Sequence, residues 1–188
     1  MKKQILERYE KSEDGKIIVD IAAEKVEDLY NNFDKRSNFL KKDLDEELSD
    51  YLSESVKEIG EKPFFIRITL AILPEDEKAE KDKDSFRNYF FYMRELEIRK
   101  MAAMARTSLI LLAVGIVILT FSIFMNQQNE VWNSVIGSVF AEGLTVAAWV
   151  SLWEALATFL IQWAPHKRRI RLFESIAQSD LVFAKESR

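Results

Sequence analysis

Residues 108–125 read SLILLAVGIVILTFSIFM. No side chain in these 18 residues is charged, and the most polar are the hydroxyls of Ser108, Thr120 and Ser122. A helix rising ~1.5 Å per residue would carry this run across about 27 Å, close to the ~30 Å hydrocarbon core of a bilayer. A helix apolar on every side needs protein or lipid around it. Nothing else in the 188-residue chain offers enough apolar surface to enclose it. The run begins beyond residue 100, which excludes a signal peptide. A membrane span is the expectation.

Downstream lies a second apolar stretch, residues 131–163. At about 33 residues it is longer than one upright crossing of ~20. Two registers compete. A span over 131–153 puts Glu142 near mid-membrane, whereas a span over 143–163 puts Glu154 there and Trp163 at the inner interface. The second is preferred, because Trp favours interfaces and Pro165 would end the span as it leaves the lipid. A tilted helix, or a short interfacial helix over 131–140, would reconcile the lengths.

Charge sets the orientation. Residues 107–166 carry three acids, Glu130, Glu142 and Glu154, and no Lys or Arg. Arg94, Arg99, Lys100 and Arg106 precede the first span; Lys167, Arg168, Arg169 and Arg171 follow the second. The connecting loop, 126–130, has no Lys or Arg. The positive-inside rule then places both termini in the cytoplasm. The cluster at 167–171 reads as topology and anionic-lipid contact rather than nucleic-acid binding, because it directly follows a span.

Residues 1–93 are different, with 17 Lys+Arg against 23 Asp+Glu. Apolar periodicity among these charges marks a folded region. Ile17, Ile18, Val19 and Ile21 suggest a strand. Val26, Leu29, Tyr30 and Phe33 follow at helical spacing. Asp43 with Glu46 forms a capping box. Leu44, Leu48, Tyr51, Leu52, Val56 and Ile59 then mark a helix face, with Gly60 as C-terminal cap. Phe64, Ile66, Ile68, Leu70 and Ile72 alternate with Phe65, Arg67, Thr69 and Ala71, giving a second strand. Residues 75–84, EDEKAEKDKD, read as a solvated loop. From Ser85 one helix is expected to run through the first span to about Met125. Two strands alone rarely form a stable sheet. Either helices cover the pair, or strands from neighbouring subunits complete it, which motivates a homo-oligomer.

The chain has no Cys and a single His, His166. That excludes a disulfide scaffold, a thiolate site and a His-cluster metal site. Gly15 and Gly60 are the sole glycines before the membrane region, so no phosphate-binding loop is present. The acids Asp43, Asp45, Glu46, Glu47 and Asp50 lack the spacing of a calcium loop. No catalytic residue, cofactor or metal is expected. The residues that draw functional interest are Glu142 and Glu154, because a carboxylate inside a membrane usually faces a bundle interior, a water path or a cation such as Arg106. Trp149, Trp153, Leu156 and Leu160 share one face of the second span and read as packing or interfacial anchors, or as a ligand cage.

Trp149, Val150, Trp153, Trp163, Pro165, the basic residues at 167–171 and the tail 172–182 resemble a family of small uncharacterised prokaryotic two-span membrane proteins. In that family a Trp-Val-x-x-Trp core leads to a Trp-Pro-like exit and a basic helical tail. The family commonly has Trp-Arg-Pro where this chain has Trp153, Glu154 and Ala155. The resemblance implies the topology and no specific activity.

The expected architecture is therefore an α+β cytoplasmic domain (1–84), a stalk helix (85–106) continuous with the first span, an all-α two-helix transmembrane hairpin (107–165), and a basic cytoplasmic C-terminal helix (166–188), its helical part over 170–184. The expected location is a prokaryotic inner membrane. The expected role is a non-enzymatic, self-associating scaffold or regulator acting through the cytoplasmic domain. Its partners would be the lipid bilayer, further copies of the chain and a cytoplasmic protein, with no nucleic acid. The alternative is a small homo-oligomeric ion channel with the second span lining the pore.

Overall fold

The computed structural model describes residues 6–34, 41–127 and 135–186. The chain divides into two compact units. One is drawn from the chain up to Leu96 and from Arg169 onward; the other is Glu97–Arg168.

The first unit is α+β and holds a three-stranded parallel sheet in the order β1 (Ile17–Ala23), β2 (Phe64–Leu70), β3 (Asp180–Lys185). The strands read from the sequence are β1 and β2. The C-terminus, expected as helix over 170–184, supplies the third: the helix stops at Ala177 and β3 begins three residues later. Leu181, Val182 and Phe183 make a short apolar run of strand length, and it pairs along β2 from Phe65 to Leu70. The sheet is thus completed within one chain, which removes the structural motive for borrowing strands from a neighbour.

Parallel strands need long crossover connections. Between β1 and β2 the crossover contains helix α1 (Glu46–Ile59). Between β2 and β3 it consists of two long helices, α2 (Asp76–Gln127) and α3 (Val135–Ala177), and the whole second unit is inserted there. One sheet face carries the core: Val19 lies beside Ile66 and Ile66 beside Leu181, with Ile21, Ile68 and Phe183 in the next row. Leu52, Val56 and Ile59 of α1 join that core, as do Phe86 and Phe90 of α2 and Phe173, Ile176 and Ala177 of α3. Phe90 and Phe173 sit with ring centroids 6.3 Å apart.

Local details depart from the sequence expectations for physical reasons. Asp45, not Asp43, caps α1, its carboxylate accepting from the backbone N–H groups of Glu47 and Leu48. Gly60 does close α1, at φ 74°. Val26–Leu29 is a single 3₁₀ turn, and Phe33 is exposed rather than part of its face. The charged tract at 75–84 is helical: α2 starts at Asp76, nine residues before Ser85, because its charges pair at helical spacing. Lys81 reaches Glu77 at 2.6 Å and Lys83 reaches Glu80 at 2.7 Å, and Asp76 and Glu77 suit the positive end of the helix dipole. Helix α3 continues through Pro165. The expected interfacial helix at 131–140 and the connecting loop at 126–130 fall partly outside the described residues.

The second unit is an antiparallel helix pair with an internal period of seven. On α2 the more buried positions are Glu97, Met101, Met104, Ser108, Leu111, Gly115, Ile118, Ser122 and Met125, alternately four and three residues apart. On α3 Ala141, Ala148 and Ala155 lie seven apart on the inward side. Such a period is that of a coiled-coil seam, and the small residues Ser108, Gly115 and Ser122 let the backbones approach. A Cβ on Gly115 would stand 2.9 Å from Leu152 side-chain carbons.

Candidate functional site

Two helices cannot cover themselves. In the most apolar 18 residues of α2 and α3, 17% and 11% respectively are buried. Trp149, Trp153, Leu160 and Ile161 on α3, and Leu109 and Val117 on α2, stand mostly exposed. The helices are long and apolar enough to be candidate membrane spans.

Polar groups occupy the seam instead. Ser122 Oγ lies 2.7 Å from Thr145 Oγ1, and each is 3.1 Å from the carbonyl oxygen of Ala141. Two hydroxyl hydrogens serve this trio: one hydroxyl donates to the carbonyl and the other donates to the first hydroxyl or shares the same oxygen. The knot ties α2 to α3 across the seam. Elsewhere the hydroxyls bond backward along their own helix, Thr120 to Ile116 and Ser151 to Ala147, which satisfies them in an apolar setting.

The most buried acid of this unit is Glu97, 2% exposed. Its Oε1 lies 2.7 Å from Nδ1 of His166, and its Oε2 lies 3.6 Å from Nζ of Lys100. His166, one residue past Pro165, is held in place by that contact. Nothing local in the sequence marks Glu97, which lies in a charged run that reads as solvated. Its signal was position: Glu97, Met101 and Met104 continue the seam of α2 by one further turn.

The residues that were singled out lie elsewhere. Glu142 and Glu154 are exposed on α3, turned away from the seam, and no ion pair among the described residues joins Glu154 to Arg106, itself exposed. Lys167, Arg168, Arg169 and Arg171 are exposed on α3 beyond Pro165. Trp149 and Trp153 share an outward face, and Phe159 stacks on Trp163 at 5.1 Å between centroids.

The first unit has its own buried polar group. Tyr30 donates to Asp82 Oδ1 at 3.0 Å, while Asp82 Oδ2 is buried with no hydrogen-bond partner among the described residues. Burial pushes the Asp82 carboxyl above its usual range, against the hydrogen bond from Tyr30 and the nearby Lys42 and Lys78. Burial likewise pushes the Tyr30 phenol well up. Lys42 stands over the Tyr30 ring, 4.4 Å from its centroid. On the other sheet face Arg67 bonds Asp20 at 2.5 Å and also pairs with Glu10. Beside them is a polar hollow of about 330 Å³ lined by residues that include Tyr9, Asp20, Tyr51, Glu54 and Glu58. Its groups hold one another: Tyr9 donates to Glu58 and Tyr51 donates to the Asp20 carbonyl.

No protein-family model, curated protein or solved structure matches this chain.

Proposed function

We propose that this chain is an integral membrane protein, that its second unit is a transmembrane hairpin, and that it self-associates and acts as a scaffold or regulator through the α+β unit in the cytoplasm. The observation that carries the membrane part is the inverted burial of the second unit, with Ser and Ala inside and Trp, Leu and Ile outside. Lipid is the solvent that such a surface suits.

The connectivity supports the topology. β2 precedes the hairpin and β3 comes after it, yet the two pair along one ladder. Both ends of the hairpin must therefore meet on one side of the membrane, which two crossings achieve. The Lys and Arg residues flanking both spans support the cytoplasm as that side.

The chain has no Cys, so single thiols report cleanly. With Asn129→Cys, a membrane-impermeant thiol reagent should label intact cells. With Lys57→Cys it should label only after lysis. The opposite pattern overturns the orientation, and release of the protein by alkaline carbonate overturns membrane integration. Light scattering in detergent should give a protein mass above the 21.9 kDa of one chain; a one-chain mass overturns self-association.

The second reading is the homo-oligomeric ion channel. One observation favours it: Ser151, Glu154 and Thr158 fall along one flank of α3 at helical spacing, Glu154 exposed and the two hydroxyl residues half-buried. Ion flux into liposomes that Glu154→Gln alters would select it over the scaffold.

A further inference from the structure

The side of α3 turned away from the seam is not uniform. On one flank Glu142, Val146, Trp149, Trp153, Leu156 and Leu160 recur every three or four residues, bulky and exposed. On the other flank Gly143, Ala147, Ser151, Glu154 and Thr158 recur at the same spacing, Gly143, Ala147 and Glu154 exposed and Ser151 and Thr158 half-buried toward the seam. Gly143, Ala147 and Ser151 form two successive small-xxx-small steps, the pattern that lets helices approach backbone to backbone in lipid. Nothing lies within 4 Å of a Cβ built on Gly143, whereas Gly115 is already filled by Leu152. One glycine thus serves the hairpin itself, and the other faces open space.

Glu154 is the second, independent observation. It sits in an apolar helix, exposed, and no ion pair among the described residues joins it to Arg106. Insertion scales put an acid such as Asp at mid-span at about 2.5–3.5 kcal/mol, so such groups are found facing protein or water rather than lipid. We propose that this flank of α3 is where a second copy of the chain docks, with Glu154 sealed between the copies. The inference rests on the membrane and self-association reading above.

The occupant is a second copy because the face is complementary to itself. All copies insert in one orientation, so residues at one depth meet their counterparts at the same depth. Glu154 of one copy then lies within about one helical turn (~5.4 Å) of Ser151 and Thr158 of its neighbour. A carboxyl finds a partner in a hydroxyl whether it donates or accepts. Ser151 already donates its hydrogen to the Ala147 carbonyl, which leaves its oxygen lone pairs for the neighbour. The Trp149 and Trp153 flank offers neither small residues nor hydroxyls, and suits acyl chains instead.

The test uses the full chain in native membranes, with single thiols at Ala147→Cys, Ser151→Cys and, on the other flank, Trp153→Cys. Close helices bring Cα atoms within the ~4.4–6.8 Å that a disulfide requires. Mild oxidation should shift Ala147→Cys and Ser151→Cys to twice the 21.9 kDa chain mass and leave Trp153→Cys unshifted. Adding Gly143→Ile to Ala147→Cys should abolish the shift. An oligomeric mass by light scattering without a cross-link at either small-flank thiol, or with Trp153→Cys cross-linking as well as they do, overturns this face and leaves self-association standing. A one-chain mass overturns both.

Discussion

The two units of this protein bury opposite kinds of side chain. In the α+β unit, Leu52, Ile66, Ile68 and Phe90 are fully enclosed while Glu77, Lys81 and Glu80 pair at the surface. In the helix pair, Ser108, Ser122 and Glu97 are enclosed while Trp153, Leu160 and Val117 are exposed. Under the membrane reading proposed above, the same chain solves two solvent problems. Water drives apolar surface inward in the first unit. In lipid that drive is absent, so backbone proximity and hydrogen bonds must hold helices together. The contrast explains why small and hydroxylic residues such as Ser108, Gly115 and Ser122 recur among the Met, Leu and Ile of the seam of α2 and α3.

The widest gap between the units should come from truncating large apolar side chains. Leu52→Ala or Ile68→Ala empties a closed core and should cost about 2–5 kcal/mol. Leu109→Ala or Leu160→Ala removes atoms that touch solvent, and should change stability by no more than ~0.5 kcal/mol. Thermal unfolding of the full chain in detergent compares the four. An equal loss at Leu160 would mean that α3 is covered by protein there, and the contrast between the units would fail.

Glycines sharpen the comparison inside the second unit. Gly115→Leu drives side-chain carbons into Leu152 and should destabilise the hairpin by about 1–3 kcal/mol, as overpacking does. Gly143→Ala meets nothing within 4 Å and should leave the hairpin as stable as before. Denaturant titration in micelles separates these outcomes. A tolerant Gly115 would show that close approach of α2 and α3 is not what holds them.

Polar burial gives an effect of similar size. His166→Ala leaves Glu97 buried with one partner fewer, and should cost about 1.5–3 kcal/mol. Glu97→Gln keeps an oxygen facing the imidazole and should cost less. The two substitutions should be non-additive when combined, and a double-mutant cycle on unfolding free energies measures the coupling. Additivity within ~0.5 kcal/mol would show that Glu97 and His166 are held apart in solution.

Much of this was legible in the sequence, and the failures have particular causes. Residues 17–21 and 64–70 announce strands through β-branched runs and alternation, and 108–125 announces a span through its length and lack of charge. β3 was missed because Asp180–Lys185 directly succeeds an amphipathic helix, and strand pairing with β2 is a long-range contact that local pattern does not carry. The start of α2 was missed because residues 75–84 lack apolar anchors; their helix is held by ion pairs and by continuity with the apolar turns that begin at Phe86. The seven-residue recurrence of Ser108, Gly115 and Ser122, and of Ala141, Ala148 and Ala155, is present in the sequence but is masked by the apolar residues that fill every side of both spans. Glu142 and Glu154 drew notice by charge alone. Glu97 needed the seam of α2 to be known before its burial could be inferred.

The smallest expected effect concerns the one acid that the α+β unit buries against type. Burial raises the Asp82 carboxyl above its unfolded-state range, so folding favours the protonated form. This contribution to stability is full below the unfolded value and is lost as pH rises through the raised one. Asp43, also raised by burial, acts in the same direction, whereas Glu27, lowered first by its hydrogen bond from Lys78, acts in the opposite one. The informative quantity is therefore the difference between wild type and Asp82→Asn, in which the other groups cancel. Asn keeps an oxygen for the Tyr30 hydroxyl and carries no charge to desolvate. Relative to wild type the variant should gain stability as pH rises from about 4 to 7, by no more than ~1 kcal/mol across the range. Unfolding midpoints of both proteins across that range measure it. A difference that stays flat would place Asp82 in contact with water, and the α+β unit would then obey the ordinary rule of charges outside without this exception.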